Sequence, residues 1–77
     1  MDVVGRFIEA CCLVNPHVQA KASKLYEAYK RWCEGSGEYA ISLTVFGTRL
    51  EEKGFQKHVS GGVWRRGIGL MSTTKVV

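Results

Sequence analysis

Hydrophobic residues recur at helical spacing near the start of the chain. The first apolar stripe consists of Val3, Phe7, Cys11 and Val14. This spacing predicts a helix that begins after Asp2, whose carboxylate is suited to cap it. Because the residue before a proline is disfavoured in helical conformation, we expect the helix to end at Asn15-Pro16. The segment 17–22 is weakly apolar, and either a loop or a brief strand fits it.

A second stripe predicts a helix that begins at a Ser23 cap and ends close to Glu34. The stripe consists of Leu25, Tyr29 and Trp32, flanked by Tyr26 and Cys33. Gly35-Ser36-Gly37 follows and supplies the left-handed geometry that ends helices. The aromatic residues have the spacing of a buried stripe, which favours a core role over a base-stacking platform.

The third predicted helix begins at a Ser42 cap and closes at Gly54, after Lys53. Its inward positions are Leu43, Phe46, Gly47 and Leu50. We expect Phe46 to be buried together with Trp32. The outward face then includes Thr44, Val45, Thr48, Arg49 and Glu52.

Beyond Gly54 the pattern changes from helical to alternating, which is typical of strands. Phe55, Lys57 and Val59 point one way, and Ser60-Gly61-Gly62 predicts a hairpin turn. The returning strand is expected from Val63 to about Met71. Its predicted inward face consists of Trp64, Arg66, Ile68 and Leu70. Residues 72–77 are expected to be a frayed tail.

The order of these elements predicts an α+β fold, a winged helix-turn-helix with three helices followed by a β-hairpin wing. We expect one domain over residues 1–77, with a core over about 3–71. In such folds the third helix lies in the major groove of DNA and the wing follows the phosphate backbone. The fold therefore predicts a nucleic-acid partner.

The charge is distributed unevenly, although the net charge is only +4. Residues 1–48 contain five basic and five acidic side chains, whereas residues 49–77 contain six basic and two acidic ones. A polyanion is therefore expected to meet the last third of the chain first.

Several classes of function are not supported. The three cysteines lack CxxC spacing and His17 and His58 are far apart, so no metal site is expected. No catalytic arrangement and no cofactor cavity are expected in 77 residues. The sequence has no membrane-length apolar run and no secretion signal, so we expect a cytoplasmic protein with reduced cysteines.

Three strings strengthen the prediction: LYEAYKRWCE, VFGTRLEEKGF and WRRGIGL, preceded by FIEACC. In this order they resemble the C-terminal winged-helix domain of phage and plasmid primase-helicases, including poxvirus-type proteins, over roughly residues 3–71. The resemblance implies a DNA-binding accessory domain beside a superfamily-3-type ATPase motor. The sequence contains no GxxxxGK[ST] string of its own. Thr44 and Val45 stand where family members often have basic residues.

The residues predicted to bind nucleic acid lie on the third helix and the hairpin. They are Thr44, Thr48, Arg49, Lys53, Lys57, His58, Arg65 and Arg66. Arg49 has the geometry to recognise guanine, and pairing with a nearby glutamate is the alternative. Trp64 is expected to cover the core more than to stack on a base. Duplex DNA is the expected partner, with a helicase or ATPase domain of the same protein as a second.

Two other functions stay open. Winged helices also serve as docking or oligomerisation modules, and an exposed apolar patch around Val45 and Tyr39 would indicate that use. A small transcription regulator has the same sequence features.

Overall fold

The computed structural model of the protein describes residues 2–71. Its helices and strands are α1 (Val3–Cys11), β1 (Cys12–Lys21), α2 (Ala22–Ser36), α3 (Leu43–Glu52), β2 (Lys57–Val59) and β3 (Val63–Leu70). The strands form an antiparallel sheet in the order β1-β3-β2. The predicted α+β class is confirmed, and the predicted tail 72–77 lies outside the described residues.

The hairpin follows three helices as expected, but the structure adds a ten-residue strand between α1 and α2 that the sequence did not predict. The first helix ends at Cys11 and does not continue to Asn15-Pro16. Cys12 is instead extended and pairs with Leu70 of β3. Pairing with a strand nearly sixty positions away outweighs the helical pattern here, and that partner is invisible to local periodicity.

Pro16 lies inside β1 without breaking it. The pairing with β3 is irregular between Val14 and Gln19, and the proline falls in that interval. A bulge on an edge strand is a position where a missing N–H costs little. The open segment 17–22 therefore belongs mostly to the strand.

The second helix also differs from the prediction at both ends. Lys21 precedes its first turn, so Ser23 is not its cap, and the helix continues two residues beyond Glu34 to Ser36. Gly37 closes it with φ +72°, a left-handed conformation that favours glycine. The predicted Ser42 cap of α3 is confirmed, because its hydroxyl accepts a hydrogen bond from the Val45 N–H.

The core lies between the helices and one face of the sheet. It consists of Val4, Phe7, Ile8, Cys12, Leu25, Tyr29, Cys33, Phe46, Leu50 and Ile68. Phe46 stacks on Tyr29 with ring centroids 4.7 Å apart. Trp32 is only partly buried and packs on Phe7 at 5.9 Å, so the expected burial of Trp32 beside Phe46 was wrong. Leu43, expected inside, is 49% exposed.

The predicted inward face of the returning strand was right for Ile68 and wrong for Arg66. Arg65 is buried at 5% exposure while Arg66 is exposed, and Ile68 is fully buried. Gly67 lies between them with φ +86°. This conformation breaks the alternation of side chains along the strand. Arg65 before Gly67 and Ile68 after it therefore both face the core, although they are three positions apart.

The three cysteines are free thiols. Cys12 and Cys33 are buried, as expected for small apolar side chains, and Cys11 is partly exposed. Burial raises the pKa of the Cys12 thiol to about 12. No helix within residues 2–71 combines the length and apolar character needed to cross a bilayer.

Candidate nucleic-acid interface

A groove of about 540 Å³ lies between α3 and the β2–β3 hairpin, and the start of α2 closes one end. The exposed first turns of α3 provide Thr44 and Thr48, and the hairpin provides Lys57. Lys57 faces α3 because its cross-strand partner is Arg65, which lies on the core side of the sheet. The groove therefore combines hydroxyl groups on a helix with a cation on a strand.

Arg65 forms the floor of this groove. Its Nη1 donates to Oε2 of Glu51 at 3.1 Å and to the carbonyl of Phe55 at 3.4 Å. The side chain is 7% exposed, whereas that of Glu51 is 55% exposed. Within residues 2–71, Nε of Arg65 has no hydrogen-bond partner. Arg65 thus joins the hairpin to α3 and is not available on the surface of the hairpin.

The charged side chains that line the groove have an excess of positive charge. Lys21, Lys57 and Arg65 are the cations, and Glu51 is the carboxylate among the lining residues. Since Glu51 is ion-paired with Arg65, the ammonium of Lys57 is left to balance an incoming anion on the side of the groove that faces α3. The groove is therefore electrostatically suited to a negatively charged ligand.

Lys21 was missed by the sequence analysis, which assigned it to a neutral half of the chain. The pairing of β1 with β3 places it opposite Trp64, and its Nζ lies 5.8 Å from the centre of the indole ring. A Cβ placed on Gly62 would be 3.7 Å from Cε of Lys21, which shows how close the side chain comes to the hairpin turn. The open choice between a loop and a brief strand for 17–22 was the one available signal, and it did not identify a partner strand.

The outer face of the hairpin carries a second basic cluster. His58 lies opposite Trp64, on the side of the sheet away from the core. Nη2 of Arg66 is 3.3 Å from Nδ1 of His58, and a guanidinium only donates, so this nitrogen is the acceptor. The indole N–H of Trp64 donates to the carbonyl of Ser60 at 2.9 Å and holds the ring against the turn.

The remaining predicted residues lie on the other side of α3. Arg49 is ion-paired with Glu52 at 3.3 Å, which is the alternative that the sequence left open for it. Lys53 is ion-paired with Asp2, at the start of α1. Both cations line a second groove, of about 570 Å³, together with Tyr39 and Ile41. The structure therefore does not bring Arg49 and Lys53 together with the hairpin cations.

Asp2 holds this second region together. Its Oδ1 accepts from the Gly5 N–H at 3.0 Å, which caps α1 as predicted. The hydrogen bond from Lys53, and next the bond from Gly5, lower the pKa of the Asp2 carboxyl below its usual value. The carboxylate thus links the first turn of α1 to the end of α3.

The two grooves are lined by hydroxyl groups, cations and carboxylates. Within residues 2–71 no three His, Cys, Asp or Glu side chains converge to hold a metal. The histidines stand apart, with His58 engaged by Arg66 and His17 at the β1 bulge. Hydroxyls and cations along a groove are the means by which proteins hold phosphate backbones.

The fold and the groove define a small α+β domain whose recognisable surface is a basic groove beside a helix. Residues 1–66 match the family model described as Poxvirus D5 protein-like. The chain belongs to this family, and its domain is related to the primase-helicases of viral replication. Neither a curated protein nor a solved structure matches the chain.

Proposed function

We propose that this chain is a winged-helix domain that binds duplex DNA as an accessory module of a replication primase-helicase. The observation that supports this most directly is the groove between α3 and the hairpin. Its hydroxyls come from Thr44 and Thr48, and its cation on the hairpin is Lys57, which forms no ion pair within residues 2–71.

The order of elements supports the winged-helix assignment. The chain runs α1-β1-α2-α3-β2-β3, and a short connection, residues 37–42, separates α2 from α3. In this arrangement α2 and α3 are the helix-turn-helix pair and the β2–β3 hairpin is the wing. α3 then enters the major groove while the wing lies along the backbone.

The charges of α3 indicate how the domain binds. Arg49 is paired with Glu52 and Glu51 with Arg65. Thr44 and Thr48 are the exposed polar side chains left to meet base edges, and the Thr48 hydroxyl already donates to the carbonyl of Thr44 at 3.2 Å. Few base contacts are available, so phosphate contacts dominate the affinity and sequence preference is weak.

The family supports the replication context. The motor of a primase-helicase needs an ATP-binding loop, and the sequence contains no GxxxxGK[ST] string. An ATPase domain of the same protein or complex is therefore the second partner that we propose. The role of this domain is to hold DNA beside that motor.

A salt-dependent titration of fluorescein-labelled duplex and single-stranded DNA tests the proposal. Three exposed cations surround the groove and the wing: Lys21, Lys57 and Arg66. If each neutralises one phosphate, log affinity for duplex falls with log salt at a slope of about −3, and each alanine variant flattens the slope by about one unit.

Arg31→Ala is the matched control, because Arg31 is exposed on α2 and does not line the groove. It is expected to leave the slope unchanged. Absence of duplex binding at low salt, or equal slopes for all four variants, would contradict the proposal. A preference for single strands would retain nucleic-acid binding and refute the duplex assignment.

A protein-docking function is the alternative, and one observation favours it. Tyr39 is 96% exposed and borders the second groove, whose apolar residues are Val3, Val4 and Ile41. Val45 is 40% exposed on α3 and lines neither of these two grooves. If duplex binding is absent, a Tyr39→Ser variant in a pull-down with the ATPase domain becomes the next test.

A further inference from the structure

We infer that the face of the sheet away from the core holds an unpaired nucleotide of a DNA strand, with its base stacked on Trp64 and its phosphates held by Lys21 and Arg66. The proposed function assigns duplex DNA to α3 and to the groove on the core side of the hairpin. This inference rests on that function and names a second ligand, a single strand that leaves the duplex. The position of Trp64 and the charges around it lead to this ligand.

Trp64 points away from the core. Arg65, the next residue along β3, is buried, and side chains alternate along a strand, so Trp64 lies on the opposite face. Trp64 is partly exposed, and within residues 2–71 it is not one of the apolar side chains that pack against the core, so the expectation that it covers the core was wrong. Its indole N–H donates to the carbonyl of Ser60, which fixes the ring at the surface. Rigid aromatic rings at a surface are what proteins use to stack unpaired bases.

Two cross-strand neighbours place Trp64 in the middle of this face. The strand register puts Lys21 of β1 on one side of it and His58 of β2 on the other. The ammonium of Lys21 is 5.8 Å from the centre of the indole ring, close to the limit of about 6 Å for a cation–π contact. An incoming base therefore displaces the ammonium at little cost. Lys21 is exposed, so its side chain can turn to the phosphate of the same nucleotide.

The face around Trp64 is basic and has no opposing carboxylate. Arg66 is exposed and lies one row further along the sheet, opposite Gln19 of β1. The strands β1, β2 and β3 contain neither Asp nor Glu. Nδ1 of His58 accepts from Arg66, so the proton of the neutral ring is on Nε2, which can donate to a further acceptor. A polyanion built of flat rings is the ligand that matches an indole beside two cations.

The hairpin separates the two ligands. Lys57 lies opposite Arg65 on the core side, whereas His58 lies opposite Trp64 on the other side. Duplex bound along α3 therefore meets one face of the hairpin, and an unpaired strand meets the other. Such a domain prefers a junction between duplex and single strand, and the preference comes from stacking and not from base sequence.

Two single-tryptophan variants test the stacking directly, because Trp32 and Trp64 are the two tryptophans of the chain. Trp32→Phe leaves the indole of Trp64, and Trp64→Phe leaves that of Trp32, which packs on Phe7. We expect oligothymidylate to quench the fluorescence of Trp32→Phe saturably and to leave that of Trp64→Phe unchanged. No quenching in Trp32→Phe, or equal quenching in both variants, would overturn the inference.

The second arm measures the affinity for duplexes that carry a short single-stranded overhang. One overhang consists of thymidines and the other of abasic nucleotides, which retain the phosphates and lack the bases. We expect the parent to bind the thymidine overhang about fivefold or more tightly than the abasic one. Trp64→Ala should abolish this difference and still bind blunt duplex.

Trp64→Phe separates stacking from the shape of the turn. It loses the hydrogen bond to the carbonyl of Ser60, as Trp64→Ala does, but it retains an aromatic ring. It is expected to retain part of the preference for the thymidine overhang. A loss as complete as that of Trp64→Ala would assign the effect to the turn and refute stacking.

The outcomes distinguish this inference from the proposed function. If the parent binds blunt duplex but does not distinguish the two overhangs, the nucleotide site is refuted and duplex binding stands. If Trp64 is quenched by oligothymidylate but blunt duplex is not bound, the site is supported and the duplex assignment is refuted. Absence of binding to every probe would refute both.

Discussion

Arg65 and Gly47 are packed against each other, and a Cβ placed on Gly47 would lie 2.8 Å from Nη2 of Arg65. The absence of a side chain on α3 thus makes room for the buried guanidinium of β3. This contact, with the Glu51 ion pair, fixes the distance between α3 and the hairpin on which the groove depends.

The first prediction concerns this contact. Gly47→Ala should gain up to about 1 kcal/mol of helix propensity, but crowding of Arg65 is expected to cancel it or to cost about 1–3 kcal/mol. In an Arg65→Ala background the same change should stabilise by about 0.5–1 kcal/mol. Urea unfolding of the four proteins gives the coupling energy, and additive effects would show that the two residues do not interact.

The second prediction is that removing Glu51 and removing Arg65, the two partners of the ion pair beneath the groove, lower the stability by different amounts. Glu51→Ala leaves the buried Arg65 without its carboxylate and is expected to cost about 1–3 kcal/mol. Arg65→Met removes the buried charge itself and, since Glu51 is exposed, should cost less than about 1 kcal/mol. Denaturant unfolding of both variants tests the order of the two losses. A larger loss for Arg65→Met would mean that the guanidinium stabilises the fold through contacts other than the ion pair, such as its hydrogen bond to the carbonyl of Phe55.

The aromatic core provides a third prediction. Phe46 is 1% exposed and stacks on Tyr29, so Phe46→Ala should cost about 3–5 kcal/mol. Trp32→Ala should cost less, because Trp32 is only partly buried. Thermal and urea unfolding measure both changes. A loss below about 1 kcal/mol for Phe46→Ala would contradict the assigned inner face of α3.

The fourth prediction is a pH dependence that originates at Asp2. Its pKa is lower in the folded state than its usual value of 3.8, so the unfolded chain binds more protons as the pH falls through this range. The stabilisation is therefore fully present above about pH 4 and is lost as the pH falls through the lower, folded-state pKa. Melting temperatures of the parent should fall with acidification in this window.

Two variants separate the roles of Asp2. Asp2→Asn retains the cap on Gly5 and removes the ion pair with Lys53, so its melting temperature should show a smaller acid-dependent fall. Asp2→Ala also loses the cap and should cost about 0.5–2 kcal/mol at neutral pH. Parallel acid profiles for the parent and Asp2→Asn would show that another carboxylate dominates.

The elements that the sequence predicted well depend on local signals. The α3 helix was predicted from the Ser42 cap and from the spacing of Phe46 and Leu50, and the hairpin from the change of period and Ser60-Gly61-Gly62. Caps, turns and periodicity act within a few residues, so the sequence alone is sufficient to specify them. The basic character of the last third of the chain is likewise a property of composition.

Tertiary structure decided everything that depends on distant pairing. Strand β1 exists because Cys12 and Lys21 find partners at Leu70 and Trp64, and this pairing brings the ammonium of Lys21 over the Trp64 ring. Arg65 is buried because the backbone conformation of Gly67 changes which residues of β3 face the core, and because Gly47 leaves space on α3. Neither effect is encoded in a local window, since each depends on backbone contacts between segments far apart in the chain. The sequence by itself therefore determined the helices, the hairpin and the charge, and the packing of the strands decided which of the cations face the groove.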